Sequence, residues 1–224
     1  MISSISSASE YRPKSFNDMI GQDAIVKTLN NAIKNDNIPQ ALLFCGPRGV
    51  GKTSCARILA KTINNLEDDF EYNIFELDAA SNNSVEDIRN ITDQIRIPPQ
   101  SGRFKVYIID EVHMLSNQAF NAFLKSLEEP PEHVVFILAT TEKNKILPTI
   151  LSRCQIYDFK KVDNESIIKL LSKICKEKKV KYEDGSLSLI AERSDGSIRD
   201  SLSIFDRLVS FTDSNLTISE VTLN

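Results

Sequence analysis

Residues Ala41-Leu42-Leu43-Phe44-Cys45-Gly46-Pro47-Arg48-Gly49-Val50-Gly51-Lys52-Thr53 run a continuous apolar segment into G-x-x-x-x-G-K-T. An unbroken apolar run of this length suits a strand covered on both faces. The residues after it, Lys52 to Ile63, carry Ala56, Leu59 and Ile63 at helical spacing. Strand, glycine-rich turn and helix in that order are the context in which this motif wraps a phosphate. The glycines let backbone N–H groups approach the anion, and the helix N-terminus adds partial positive charge. Lys52 has the reach for β and γ phosphates, and the Thr53 hydroxyl suits magnesium. A turn that binds nothing has no packing use for a lysine and a threonine at those places.

Outward from this stretch, four more runs have strand character: Ile74 to Asp78, Val106 to Asp110, Val134 to Thr140 and Gln155 to Phe159. Helical periodicity lies between them, clearest from Gln118 to Leu127, and an extra helix from Ala24 to Ile33 precedes the first strand. Alternating strands and helices predict an α/β fold: a five-stranded parallel sheet flanked by helices, with ligands beyond the carboxyl ends of the strands. After Phe159 strand-like runs stop. Three helical patterns follow, Glu165 to Cys175, Gly185 to Glu192 and Ser197 to Val209. A boundary near Lys161 therefore divides a nucleotide-binding domain, 1–161, from a small helical lid domain, 162–224. In the polar tail, Leu216 and Ile218 are read as opening one more helix.

Composition narrows the classes. The chain has 224 residues, 41% hydrophobic and 26% charged, and its formal net charge is -4. That length buries a core without disulfides or metal. The charge excludes bulk electrostatic coating of nucleic acid and leaves room for a local basic patch. Cysteines 45, 55, 154 and 175 have no C-x-x-C spacing, so they read as free thiols of a reducing compartment. Met1 to Ser9 lacks the basic start and apolar segment of a signal peptide, and no apolar run approaches the roughly 20 residues that span a bilayer. The expectation is a cytoplasmic protein.

Further candidates follow from phosphate chemistry. Val106 to Ile109 ends in Asp110-Glu111, which puts two carboxylates at the sheet rim beside the phosphate turn. Asp110 would hold magnesium and Glu111 would polarise a water. His113, two residues on, reads as a packing or hydrogen-bonding residue rather than a catalyst. Thr140 and Thr141 close a strand where a hydroxyl could meet phosphate or water, and spacing does not choose between them. Arg153 lies just before the last strand. Arg199 begins the final helix, where pairing with Asp195 or Asp200 is the plain reading.

Tyr11-Arg12-Pro13, Phe16, Ile20-Gly21-Gln22, GPRGVGKTSCARILAK, ELDAASNNSVEDIR, GRFKVYIIDEVHML, NAFLKSLEEPPEHVVFILATTE and ILSRC together resemble an AAA+ ATPase. Within that class they resemble the gamma/tau family of bacterial DNA polymerase III clamp-loader subunits, from about residue 10 to about residue 210. The resemblance implies that Tyr11, Arg12, Pro13 and Ile20 line an adenine pocket. It implies that Gly46, Gly49, Val50, Gly51, Lys52, Thr53 and Ser54 cradle ATP phosphates, with magnesium on Thr53 and Asp110. Asp110 and Glu111 become Walker B, and Thr141, beside Thr140, the sensor 1 position. Arg153 becomes an arginine finger for the neighbouring subunit's ATP, and Arg199 a sensor 2 contact from the lid. The catalytic set so implied is Lys52, Glu111, Thr141, Arg153 and Arg199.

The same resemblance implies an ATPase motor that loads a sliding clamp onto primer-template DNA within a hetero-pentamer of loader subunits. DNA contacts would come from the helix beginning near Ser84, with Arg89 its basic residue and Asn82, Asn83 and Ser84 available to phosphates. Family members commonly carry a four-cysteine zinc module after the P-loop helix. Asn64 to Tyr72 bridges that gap without cysteine, so zinc is not expected. The sequence also stops after the lid, without the collar that joins subunits, so the isolated chain is expected to be monomeric. Alternatives are a nucleotide-binding, non-hydrolysing interaction module and another AAA+ motor, one that loads a helicase or moves Holliday junctions. The SRC and LEEPPEHV segments weigh against the latter.

Overall fold

Two-sided burial explains how the central strands are written. In a computed structural model describing residues 6–65, 73–82, 84–99, 102–211, 215–218 and 221, every residue of β1 (Ala41–Cys45) and β4 (Val134–Thr140) is buried. Successive side chains of a strand point to opposite faces. Leu42, Phe44, Val106, Ile108, Val135 and Ile137 accordingly join one apolar cluster, and Leu43, Cys45, Tyr107, Ile109, Phe136 and Leu138 another. The first face is covered by α2 (Asp23–Lys34) and α3 (Lys52–Asn64) through Leu29, Ala56 and Leu59. The second is covered by α4 (Val85–Ile95) and α5 (Asn117–Glu128) through Ile88, Phe120 and Phe123.

All five strands of the main sheet are parallel, in the order β2 (Ile74–Asp78), β3 (Lys105–Asp110), β4, β1, β5 (Gln155–Asp158). The chain leaves β1, crosses to the far edge at β2, returns through β3 and β4, and passes β1 again to reach β5. A reversal of this kind opens a crevice at the carboxyl ends of the strands. Because β4 lies between β1 and β3, the residues just past its tip fall between the phosphate turn and the β3 carboxylates.

Strand positions agree closely with the sequence reading; β3 starts one residue earlier, at Lys105, and β5 ends at Asp158. A third cluster unites α7 (Asn164–Lys178), α8 (Asp184–Arg193) and α9 (Ile198–Phe211) through Ile167, Leu171, Ile190, Leu202 and Phe205. Two corrections belong here. This region is not purely helical, since Lys181–Tyr182 pairs in parallel with Asn215–Leu216 as β6 and β7. Leu216 is thus a strand residue filling the helical cluster, with helix assigned only from Ile218. The serine-rich N-terminus also contributes α1 (Ser7–Glu10), tied to α9 by the Ser7 N–H, which donates to Asp206 at 2.7 Å. The short α6 (Pro148–Leu151) precedes Arg153. Residues 1–5, 66–72, Asn83 and most of the tail lie outside the described residues, including most of the cysteine-free bridge and one of the polar residues considered for DNA.

Candidate nucleotide site

The turn after β1 is shaped for close approach. Gly49 has φ +73, and a Cβ there would collide with Ser197 and Arg199 of the lid. Its carbonyl accepts the backbone N–H groups of Ile198 (3.0 Å) and Arg199 (3.3 Å), so the first turn of α9 docks on the phosphate turn itself. Gly51, at φ 102, caps α3, whose first residue is Lys52. The Lys52 ammonium donates to the Gly46 carbonyl (2.8 Å) and the Pro47 carbonyl (2.7 Å). Burial lowers its pKa, opposed by the nearby carboxylates of Glu111 and Asp110. The Thr53 hydroxyl donates to Asp110 Oδ2 at 2.6 Å, which brings two hard oxygen ligands together at the mouth of the turn.

Asp110 and Glu111 leave β3 in different directions. Glu111 adopts φ 47, ψ 43, the left-handed region unusual for a side-chain-bearing residue. This turn swings its carboxylate toward the tip of β4, where Thr141 Oγ1 donates to Glu111 Oε2 at 3.1 Å. Thr140 is fully buried and otherwise engaged: its hydroxyl accepts the Glu142 N–H (3.0 Å) and lies 2.9 Å from His113 Nδ1.

Lys52, Thr53, Asp110 and Glu111 open into one cavity of about 630 Å³. Tyr11, Arg12, Pro13 and Ile20 line one wall; Gly49, Val50, Gly51, Lys52, Thr53 and Ser54 line the floor; Asp110, Glu111 and Arg199 also reach it. The Arg12 pKa is lowered, first by burial and then by the positive fields of Arg57 and Arg199. Arg57 is held bidentately by Glu76, both contacts at 2.6 Å. Cations converging on a glycine turn at a helix N-terminus suit a polyanion, and the Thr53–Asp110 oxygen pair suits magnesium. The volume and the mixed wall also suit a nucleotide.

The sequence candidates do not all meet there. Gly46 and Thr141 stand behind the lining, acting on it through Lys52 and Glu111. Arg153 is elsewhere, on the exposed corner after α6, where it donates to Glu128 Oε1 (2.7 Å) and the Thr149 carbonyl (2.6 Å). Asp195 is bound by Lys161 at 2.6 Å. Arg89 is exposed on α4, while the Ser84 hydroxyl is spent in a capping box with Asp87. Sequence reasoning missed Met19, Leu170, Lys173, Ile198 and Leu202 in the lining. Met19 and Ile198 adjoin quoted motif residues, whereas the α7 residues carry no local signal because only docking of the lid brings them over the cavity.

A five-stranded parallel sheet with this turn, this carboxylate pair and a helical lid defines a P-loop protein of the AAA+ class. The fold matches Thermotoga maritima RuvB structures, including the Holliday junction branch migration motor, with a TM-score of 0.74 at 22% identity, covering 95% of this chain and 71% of that one. Residues 21–73 and 71–163 match the family model described as DNA polymerase III, delta subunit, and residues 166–214 match the clamp loader subunit ATPase lid domain. The chain is 45% identical to the DNA polymerase III subunit tau of Bacillus subtilis, over 95% of this chain and 41% of that protein. It is 42% identical to the Escherichia coli tau subunit, over 96% and 36%, and 42% identical to a Buchnera aphidicola gamma subunit, over 94% and 61%. The chain belongs to the DNA polymerase III clamp-loader family, on the gamma/tau side of it. It spans from about a third to somewhat under two thirds of the length of these relatives.

Proposed function

We propose that the cavity binds ATP with magnesium and hydrolyses it, and that this turnover drives the loading of a sliding clamp onto primer-template DNA in a bacterial cytoplasmic loader. The observation that carries the reading is the convergence of Lys52, the Thr53–Asp110 pair at 2.6 Å and Glu111 on one cavity. Lys52 would exchange its two carbonyl partners for β and γ phosphate oxygens. Magnesium on Thr53 and Asp110 would neutralise phosphate charge as the terminal bond breaks. Glu111, steadied by the Thr141 hydroxyl, would accept a hydrogen bond from the attacking water and orient it. Arg199 would meet phosphate from the lid, coupling nucleotide contact to the α9–Gly49 docking. Tyr11, Arg12, Pro13 and Ile20 would bound the base and ribose.

Arg153 would complete the site of a neighbouring loader subunit; its exposed position away from its own cavity supports that role. We further take 1–161 as the nucleotide-binding domain and 162–224 as the lid, a division supported by the separate lid match and by the third apolar cluster, whose buried core lies wholly after residue 161 although Ala8, Tyr11 and Ile20 pack onto it. Other loader subunits, the clamp and primed DNA are the partners so implied, with Arg89 a candidate DNA contact. A non-hydrolysing loader subunit is the second reading, favoured by the delta name of one matching family model. The full set of Lys52, Thr53, Asp110 and Glu111 argues for hydrolysis. The test is ATP turnover by the full-length protein with loader partners, clamp and primed DNA, for wild type and Glu111→Gln. Turnover should fall at least about a hundredfold in the variant; equal rates would sink the catalytic assignment.

A further inference from the structure

His113 plays no part in that reading, yet its imidazole is packed against the carboxylate at the centre of it. The side chain is only 5% exposed. Nδ1 lies 2.9 Å from Thr140 Oγ1 and 3.5 Å from Glu111 Oε2, and Nε2 lies 3.3 Å from Glu142 Oε1. The left-handed backbone at Glu111 takes that side chain off the line of β3, so the strand does not determine where its carboxylate rests. Two side chains bracket Glu111 Oε2 instead, Thr141 at 3.1 Å and His113 at 3.5 Å. Thr140 and Glu142 anchor the imidazole to the tip of β4, and the turn Val112–Met114 ties it to Glu111 through the chain.

We propose that His113 is a positioning residue for ATP hydrolysis: through the ring nitrogen that faces Thr140 and Glu111, it fixes the Glu111 carboxylate in the orientation that aims the attacking water. The inference rests on Glu111 being the water-orienting group. A buried histidine that merely pins the Val112–Met114 turn to β4 would be indifferent to which nitrogen is kept. Asparagine reproduces the place of Nδ1 and glutamine that of Nε2, so the two substitutions separate these roles.

The experiment measures ATP turnover, KM and melting temperature for the full-length protein in its loader complex with clamp and primed DNA. It compares His113→Ala, His113→Asn, His113→Gln and Glu111→Gln. The expected result is a fall in kcat of about ten- to a hundredfold for His113→Ala, the scale of a misplaced reacting group, with KM within about twofold of wild type. His113→Asn should recover most of that loss and His113→Gln little of it. If His113→Ala does not fold, the order of Asn above Gln carries the claim by itself. Glutamine matching or exceeding asparagine would overturn it, as would His113→Ala turning over at the wild-type rate while Glu111→Gln is inactive. Full turnover by Glu111→Gln would instead overturn the hydrolytic reading on which the inference stands.

Discussion

Lys52 and Arg153 are both cations of the kind phosphoryl transfer uses, and the fold treats them in opposite ways. Lys52 is 6% exposed, packed at the start of α3, with its pKa lowered by burial and supported by two carboxylates. Arg153 sits on an exposed corner, held by Glu128, the Thr149 carbonyl and, at 3.5 Å, the Ser152 hydroxyl, and lines no part of the cavity. Burying an ammonium is costly unless it is paired and hydrogen-bonded, and Lys52 has the Gly46 and Pro47 carbonyls and the fields of two carboxylates to offset that cost. An exposed arginine fork keeps its charge and its geometry until a partner presents an anion. On the proposed reading, the chain would build one half of a site into its own core and carry the other half on its surface.

Substitutions can break or sharpen this contrast. The largest effect belongs to the buried cation: Lys52→Ala should weaken Mg-ATP binding by the full chain at least about a hundredfold, the scale of a lost charge-assisted contact in a dry site. Arg153→Ala should leave that affinity unchanged. Isothermal titration on both variants checks the pair, and equal losses would erase the distinction. Next comes the docking of the lid. Gly49→Ala forces an ordinary residue into φ +73 against Ser197 and Arg199, costing about 1–2 kcal/mol for the backbone alone. A lower melting temperature and weaker ATP binding should appear together; a melting temperature equal to wild type would argue that the lid does not rest on the turn. The smallest effect is at the surface corner, where Glu128→Ala should change stability by less than about 1 kcal/mol. A larger loss in denaturant unfolding would mean that Arg153 serves the fold of its own chain.

The sequence makes one side of the contrast far more legible than the other. Strands covered on both faces must be apolar at every position, so β1, β3 and β4 stand out almost to the residue, and the glycine turn between β1 and α3 is readable from its motif. The β6–β7 pair escapes notice because two-residue strands have no periodicity to detect. Thr140 and Thr141 are adjacent, and only the register of β4 beside β3 brings one to His113 and the next to Glu111. The Arg153–Glu128 contact joins residues 25 apart, and His113 meets Glu142 only because β3 and β4 are neighbours. Contacts of that kind belong to topology, which local pattern does not encode.

Mixing two inactive variants tests the divided site most directly. Full-length Glu111→Gln chains keep the surface arginine and lose the carboxylate proposed to orient water, while Arg153→Ala chains keep the carboxylate and lose the arginine. Each, assembled alone with loader partners, clamp and primed DNA, should hydrolyse ATP poorly. Assemblies containing both create some junctions with an intact Glu111 facing an intact Arg153, so turnover should rise above either variant alone. Mixed assemblies no faster than the better single variant, with co-assembly verified, would contradict the account and return Arg153 to its own chain.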